Sequence, residues 1–111
     1  AMAVYAPPIG LEPATQATLQ TLREAVQARR KLQVDYRDAA DQVTQRTLRP
    51  LGCFYWGKVW TLAAWCETRQ AFRNFRLDRI AGVKILDSIF RDEAGKTLAD
   101  FLRLMGAKPV T

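Results

Sequence analysis

The residues with the clearest chemical potential lie between Arg69 and Ile80, where arginines alternate with apolar side chains. The stretch combines four arginines with aromatic and aliphatic residues and a single acid, namely Arg69, Phe72, Arg73, Phe75, Arg76, Leu77, Asp78, Arg79 and Ile80. A guanidinium group fixed beside packed side chains can form two parallel hydrogen bonds to a phosphate or carboxylate. The stretch therefore predicts a site for an anionic partner. We expect Asp78 to orient a neighbouring arginine rather than to contact the anion.

The net charge of the chain supports this prediction. The formal net charge is +6 over 111 residues, and residues 42–84 hold the whole excess, with eight bases against two acids. A positive field concentrated in one segment raises the local concentration of anions. The alternative is a solvated basic face that only aids solubility.

Residues suited to catalysis or to metal binding are scarce. The chain contains no histidine, which removes the commonest general base and metal ligand. Its two thiols, Cys53 and Cys66, are too few for a closed zinc site and are expected to be buried and reduced. No glycine-rich phosphate loop and no nucleophile motif are present. The sequence therefore predicts a protein that is not an enzyme and uses no cofactor and no metal.

Aromatic residues near the basic segment could stack nucleic-acid bases. Tyr55 and Trp56 adjoin a tight turn and are the better candidates for an exposed rim. For Trp60 and Trp65, packing in the core remains the alternative in a domain this small.

Two helices are predicted to flank the basic segment. Pro13 can open the first helix and Thr15 can cap it, with Leu19, Leu22, Ala25 and Val26 on one face and residues 29–31 closing it. Thr97 and Asp100 form a capping-box pattern at the start of a C-terminal helix over about residues 97–105, which Gly106 and Pro109 end. This helix packs on the sheet, forms a dimer contact or leads into a removed segment.

Short segments between the helices have strand character and short connections. The predicted strands are Leu32–Arg37, Val43–Arg49, Cys53–Trp56, Val59–Cys66, Phe72–Leu77 and Val83–Phe90. A two-residue turn at Gly57-Lys58 would place Cys53 opposite Leu62 and Cys66 opposite Arg49, so the two thiols are not opposed. The pattern predicts a mainly β (α+β) fold, a small, strongly bent antiparallel barrel.

The arginine-rich stretch is the ambiguous part of this assignment. Arg69, Arg73 and Arg76 also have helical spacing, but the flanking phenylalanines favour a strand. Strand alternation then places Arg73 with Phe75 on one face and Arg76 with Phe72 on the other, so the arginines cannot all serve one flat surface.

The termini and the apolar runs bound the domain. Residues 1–10 are expected to be a cloning tag and linker, which leaves 11–111 as a single domain with a core over residues 19–90. No apolar run has the length of a membrane span and no signal peptide is visible, so a soluble cytoplasmic protein is expected.

Three motifs resemble the WYL-domain family of bacterial transcriptional regulators. They are R-T-L-R-P-L-G at Arg46–Gly52, G-K-V-W-T-L-A-A-W-C at Gly57–Cys66 and R-N-F-R-L-D-R-I at Arg73–Ile80, within a match over roughly residues 19–86. Thr61 stands where the family usually has the tyrosine of its Trp-Tyr-Leu triplet. Because threonine is a good strand residue, the fold is expected to be unaffected.

The resemblance implies an Sm-like, SH3-type barrel that senses a ligand, thought in this family to be nucleic acid or a nucleotide. It implies contact with duplex DNA only through a helix-turn-helix domain absent from this chain. The matching pocket positions are Arg46, Arg73, Arg76 and Arg79, with Trp60 nearby. With the basic clusters, the predicted ligand-binding set is Arg46, Arg49, Trp60, Arg69, Arg73, Arg76 and Arg79.

Three functions remain open. The leading one is a non-catalytic sensor domain that binds single-stranded nucleic acid or a nucleotide. The second is a protein–protein module, such as a homodimerisation domain. The third is an Sm-like RNA-binding subunit, against which the C-terminal helix and the arginine motif argue.

Overall fold

The computed structural model describes residues 12–106. The elements, in chain order, are helix α1 (Pro13–Ala28), strands β1 (Arg30–Arg37), β2 (Val43–Tyr55), β3 (Trp60–Cys66) and β4 (Ala71–Arg76), a 3-10 turn (Leu77–Arg79), strand β5 (Ile80–Ile89) and helix α2 (Leu98–Leu104). The tag and linker expected over residues 1–10 and the helix stop at Pro109 lie outside the described residues.

The five strands form one antiparallel sheet in the order β4-β3-β2-β1-β5. This confirms a mainly antiparallel fold with an N-terminal helix and a short C-terminal helix. The sheet is strongly curved, because Tyr36 of β1 lies edge-on to Phe75 of β4 at 5.0 Å although two strands separate them. Within residues 12–106 the ladder does not close, since β4 and β5 remain edge strands. A closed Sm-like or SH3-type barrel therefore stays a prediction.

Strand β2 corrects the predicted break at Pro50. It runs unbroken for 13 residues, with Pro50 opposite Ala64 and Gly52 opposite Ala63, so Leu51 is an extra residue in a β-bulge. A proline, which cannot donate to the ladder, is tolerated in a strand at such an irregularity. The six predicted strands are therefore five.

The bulge also explains one wrong cysteine pairing. The turn at Gly57-Lys58 is as predicted, since the Trp56 N–H donates to the Val59 carbonyl at 2.9 Å and Cys53 lies opposite Leu62. Beyond the bulge the register moves by one residue, so Cys66 lies opposite Leu48 rather than Arg49. The two cysteines are still not opposed, as predicted, and both thiols are free.

Both ends of α1 differ in part from the prediction. Pro13 does open the helix, but Glu12 occupies the N-cap position without a side-chain hydrogen bond, and Thr15 lies inside the helix. Arg29 adopts a left-handed conformation (φ 53°) and ends the helix. The next residue, Arg30, pairs with Ile89 in the sheet, so Arg30 and Lys31 begin β1 instead of closing the helix.

The arginine-rich stretch, strand β5 and helix α2 agree more closely with the elements predicted from the sequence. The arginine-rich stretch is a strand, β4, and not a helix. Strand β5 begins at Ile80, earlier than predicted. The capping box at α2 is confirmed, because Thr97 Oγ1 accepts from the Asp100 N–H and the Asp100 carboxylate accepts from the Thr97 N–H, each at 3.1 Å.

The core lies between α1 and the concave face of the sheet. It is built from leucines and other apolar side chains of both layers, among them Leu19, Leu22, Ala25, Leu32, Val34, Leu48, Leu62, Phe75 and Leu77. On the other face, α2 packs back through Phe101, whose ring lies 5.5 Å from that of Phe72. Among the described residues, no helix is long and apolar enough to cross a membrane.

Candidate anion-binding surface

The edge strand β4 presents arginines on both faces of the sheet. Arg73 lies opposite Ala64 and shares its face with buried Phe75, whereas Arg76 lies opposite Thr61 on the outer face. Both side chains are exposed because β4 is at the edge. The predicted division of the arginines between two faces is therefore confirmed.

Arg69 and Arg73 are the members of the predicted set whose guanidinium groups have no partner in the part of the chain that the structure describes. Arg69 lies in the turn before β4, and both residues are exposed. Within residues 12–106 neither side chain forms a hydrogen bond, an ion pair or a ring contact. Their donors are therefore available to an external anion.

Arg76 is held by the neighbouring acid, as the sequence predicts for Asp78. Its Nε and Nη2 donate to Asp78 Oδ1 and Oδ2 at 3.0 and 2.7 Å. This pair raises the pKa of Arg76 and lowers that of Asp78. Both side chains are about half exposed, so solvent screens the pair. A phosphate would have to displace the Asp78 carboxylate to use these two donors.

Arg46 and Arg79 are bound by neutral oxygens rather than by carboxylates. The Arg79 Nη1 donates to the Asp38 carbonyl at 3.0 Å, which ties the 3-10 turn to the loop between β1 and β2. The Arg46 Nε donates to Thr44 Oγ1 at 3.2 Å, and Arg46 lies opposite Val34 on the concave side. Both arginines are partly buried, and neither forms an ion pair within residues 12–106.

Arg49 lies in a network of ion pairs on the outer face. Its Nε donates to Glu67 at 2.7 Å and its Nη1 to Glu93 at 3.0 Å, while Lys31 and Lys96 complete the network at 2.9 Å each. Hydrogen bonding to Glu67 raises the pKa of Arg49. Burial alone would raise the pKa of Glu67, but the hydrogen bonds from Arg49 and Lys31 outweigh it and lower that pKa. Of the predicted arginines, Arg49 is the one whose charge is most fully balanced.

Trp60 is a core residue with 4% of its surface exposed. Its ring lies 5.3 Å from that of Tyr55, and the Arg23 guanidinium of α1 stands 5.5 Å above it. The sequence did not indicate Arg23, because the docking of a helix on a distant strand leaves no local signal. Trp56, by contrast, is 60% exposed, in agreement with its predicted place at the rim.

One groove near the site is not lined by the predicted arginines. Its volume is about 340 Å³, and it lies between the start of α1 and the β2–β3 turn, where Glu12, Lys58, Trp60 and Asp78 contribute to its wall. Two carboxylates against one ammonium give it no positive character. The candidate anion site is therefore the exposed β4 edge and not this groove.

The remaining reactive groups offer little chemistry. Burial raises the pKa of Cys53 to about 12 against the opposing effect of Arg23, so its thiolate is scarce near neutral pH. Within residues 12–106 no group of three or more histidine, cysteine or acidic residues could hold a metal ion. The predicted lack of a metal or cofactor remains a prediction.

Comparison with known proteins places this geometry in a family. The family model described as WYL domain matches residues 17–85, close to the range that carries the sequence resemblance. The proteasome accessory factor B/C (PafBC) of Arthrobacter aurescens is a similar solved structure, with 26% sequence identity and a TM-score of 0.68. The match covers 72% of this chain but 13% of that protein, so this chain corresponds to a small part of it. Both similarities support a regulatory ligand-sensing domain in general terms, and the chain belongs to the WYL-domain family.

Proposed function

We propose that this WYL domain is the non-catalytic ligand-sensing domain of a bacterial transcriptional regulator and that it binds single-stranded nucleic acid or a nucleotide. The observation that carries the proposal is the β4 edge. There Arg69 and Arg73 have no partner among the described residues, and Arg76 has only an exposed one. Exposed guanidinium groups whose donors are not used by buried partners are suited to binding phosphate.

The shape of the edge favours a flexible ligand. Arg73 and Arg76 are three residues apart, which is about 10 Å along a strand. They point to opposite faces, so the edge carries a cation on each side. A single-stranded phosphate backbone can follow such an edge and contact both groups.

Sensing requires that the ligand favour one of two states of the whole regulator. We propose that the ligand changes the orientation or dimerisation of a DNA-binding domain outside this chain. The curved sheet supports an Sm-like arrangement for the sensor, and a cytoplasmic location follows from the regulatory role. The high pKa of Cys53 supports a binding role rather than a catalytic one.

A protein–protein module is the second candidate. It is favoured by exposed apolar side chains at the ends of β5 and α2, where Ile89 is 66% exposed and Leu104 is 73% exposed. The rest of α2 is engaged with the sheet through Phe101, which limits this surface to a few side chains. Sedimentation of the isolated chain would reveal a tight dimer if this candidate were correct.

Titration of short fluorescent single-stranded oligonucleotides at several salt concentrations tests the leading proposal. Each phosphate contact contributes about −0.7 to the slope of log K against log salt for single strands. The double substitution Arg73→Ala and Arg76→Ala should weaken binding and flatten the slope by about 1.4.

Arg91→Ala is the matched control, because Arg91 is exposed and follows β5, the opposite edge strand. It should leave the slope nearly unchanged. No binding by the native protein at low salt would refute the proposal. An equal loss in Arg91→Ala would show that the β4 edge is not the site.

A further inference from the structure

Trp56 is an exposed tryptophan held in one orientation. The residue is 60% exposed, yet its indole Nε1 donates to Thr61 Oγ1 at 2.7 Å. Thr61 itself is 8% exposed, so the acceptor is fixed in the sheet. The ring of Phe54 lies 6.2 Å from the indole and supports it on one side.

This arrangement suits a stacking ligand. An exposed indole leaves a large apolar surface in water, and its burial by a ligand is favourable. Because the hydrogen bond already restricts the ring, binding sacrifices little side-chain freedom. Aromatic platforms of this kind bind successive bases of single-stranded nucleic acid with little sequence preference.

Two cations adjoin the platform, one in the β3–β4 ladder and one in the β2–β3 turn. Thr61 lies directly opposite Arg76 in the β3–β4 ladder, so the indole that donates to Thr61 and the Arg76 side chain lie on the same outer face of the sheet. Lys58 is two residues beyond Trp56, is exposed and has no partner within the described residues. A base on the indole would therefore have Arg76 on its own face of the sheet to receive its phosphate.

We propose that Trp56 is the base-stacking residue of the site and lies at the end of the β4 arginine edge. One unpaired base stacks on the indole, and its backbone continues along Arg76 and Arg73. This inference rests on the proposed function. The inference adds to the proposed function the requirement that the ligand carry an unpaired base, which phosphate contacts alone do not impose.

The test compares a labelled oligothymidylate of about eight nucleotides with an abasic oligonucleotide of equal length and charge. Loss of one stacked base lowers affinity by about 5- to 150-fold. Trp56→Ala should show this loss for the oligothymidylate, an unchanged salt slope and little change for the abasic strand. Trp56→Phe should show a smaller loss but should abolish the ligand-induced quenching of tryptophan fluorescence.

Two further variants separate stacking from general effects. Thr61→Val removes the hydrogen-bond acceptor at similar volume and should weaken oligothymidylate binding without changing the salt slope. Val43→Ala alters an exposed apolar side chain at the other end of β2 and should have no effect.

The outcomes distinguish this inference from the function on which it rests. If the native protein binds both strands equally, or if Trp56→Ala binds the oligothymidylate as well as the native protein does, stacking is refuted and phosphate binding stands. If the native protein binds neither strand at low salt, both proposals fail. Circular dichroism should show that every variant is folded, as expected for the exposed Trp56.

Discussion

Replacement of Arg49 by alanine is expected to destabilise the fold while leaving nucleic-acid binding intact. Arg49 and Glu67 have 17% and 22% of their side-chain surface exposed, and their hydrogen bond is 2.7 Å long. Truncation of Arg49 would leave Glu67 with Lys31 as its partner and would release Glu93. The sequence assigned Arg49 to the ligand site, so this variant decides between the two roles.

The expected magnitude follows from two contacts. A hydrogen bond to a charged group contributes about 1.5–3 kcal/mol when it is partly buried. The contact with Glu93, whose side chain is 51% exposed, adds little because solvent screens it. Because Lys31 still neutralises Glu67, we expect a net loss of about 2 kcal/mol. For a domain of this size that corresponds to a fall in Tm of about 10 °C.

Urea unfolding followed by circular dichroism measures this loss. The midpoint should fall by about 1 M at an unchanged m value. Arg73→Ala is the matched control and should change the free energy of unfolding by less than about 0.5 kcal/mol, as for other exposed sites. A double-mutant cycle between Arg49 and Glu67 isolates the coupling between them.

Three results would refute this reasoning. The first is an Arg49→Ala variant as stable as the native protein. The second is an Arg73→Ala variant that is equally destabilised. The third is an Arg49→Ala variant of native stability that loses a phosphate contact in the salt titration, which would place Arg49 in the ligand site.

Two further predictions concern ionisation. The pKa of Glu67 and that of Glu93 are lowered in the fold, so their contribution to stability is present above the ordinary carboxyl pKa of about 4.5 and is lost as the pH falls through the lowered values. The urea concentration at the unfolding midpoint should therefore decrease when the pH is brought below about 4.5. The decrease should be smaller in Glu67→Gln. Because its pKa is about 12, Cys53 should react with iodoacetamide at pH 8 about 1,000-fold more slowly in the folded protein than in the unfolded protein. Mass spectrometry of the labelled peptides measures the two rates. Rapid labelling of Cys53 in the folded protein would contradict the prediction.

The division of the arginines shows how far the sequence could lead. The pairing of Arg76 with Asp78 was predictable, because the two residues are two positions apart and need no tertiary information. The partners of Arg49 are 18 and 44 residues away, and the carbonyl that binds Arg79 is 41 residues away. These contacts depend on the curvature of the sheet and on the path of the C-terminal segment, neither of which a local pattern encodes.

The fold shows the same limit. The turn at Gly57-Lys58 and the capping box at Thr97 follow from turn and cap chemistry and were predictable. The bulge at Leu51 was not, because Pro50 indicates a strand end by the usual rule and its tolerance depends on the partner strand. The burial of Trp60 beneath Arg23 likewise required the docking of α1.

The salt dependence of oligonucleotide binding by the native protein tests the central claim most directly. The account predicts binding at low salt, with log K falling linearly with log salt, and a slope that flattens by about 1.4 when Arg73 and Arg76 are both replaced by alanine. A native protein that binds no single-stranded oligonucleotide at low salt, or whose binding does not depend on salt, would contradict it.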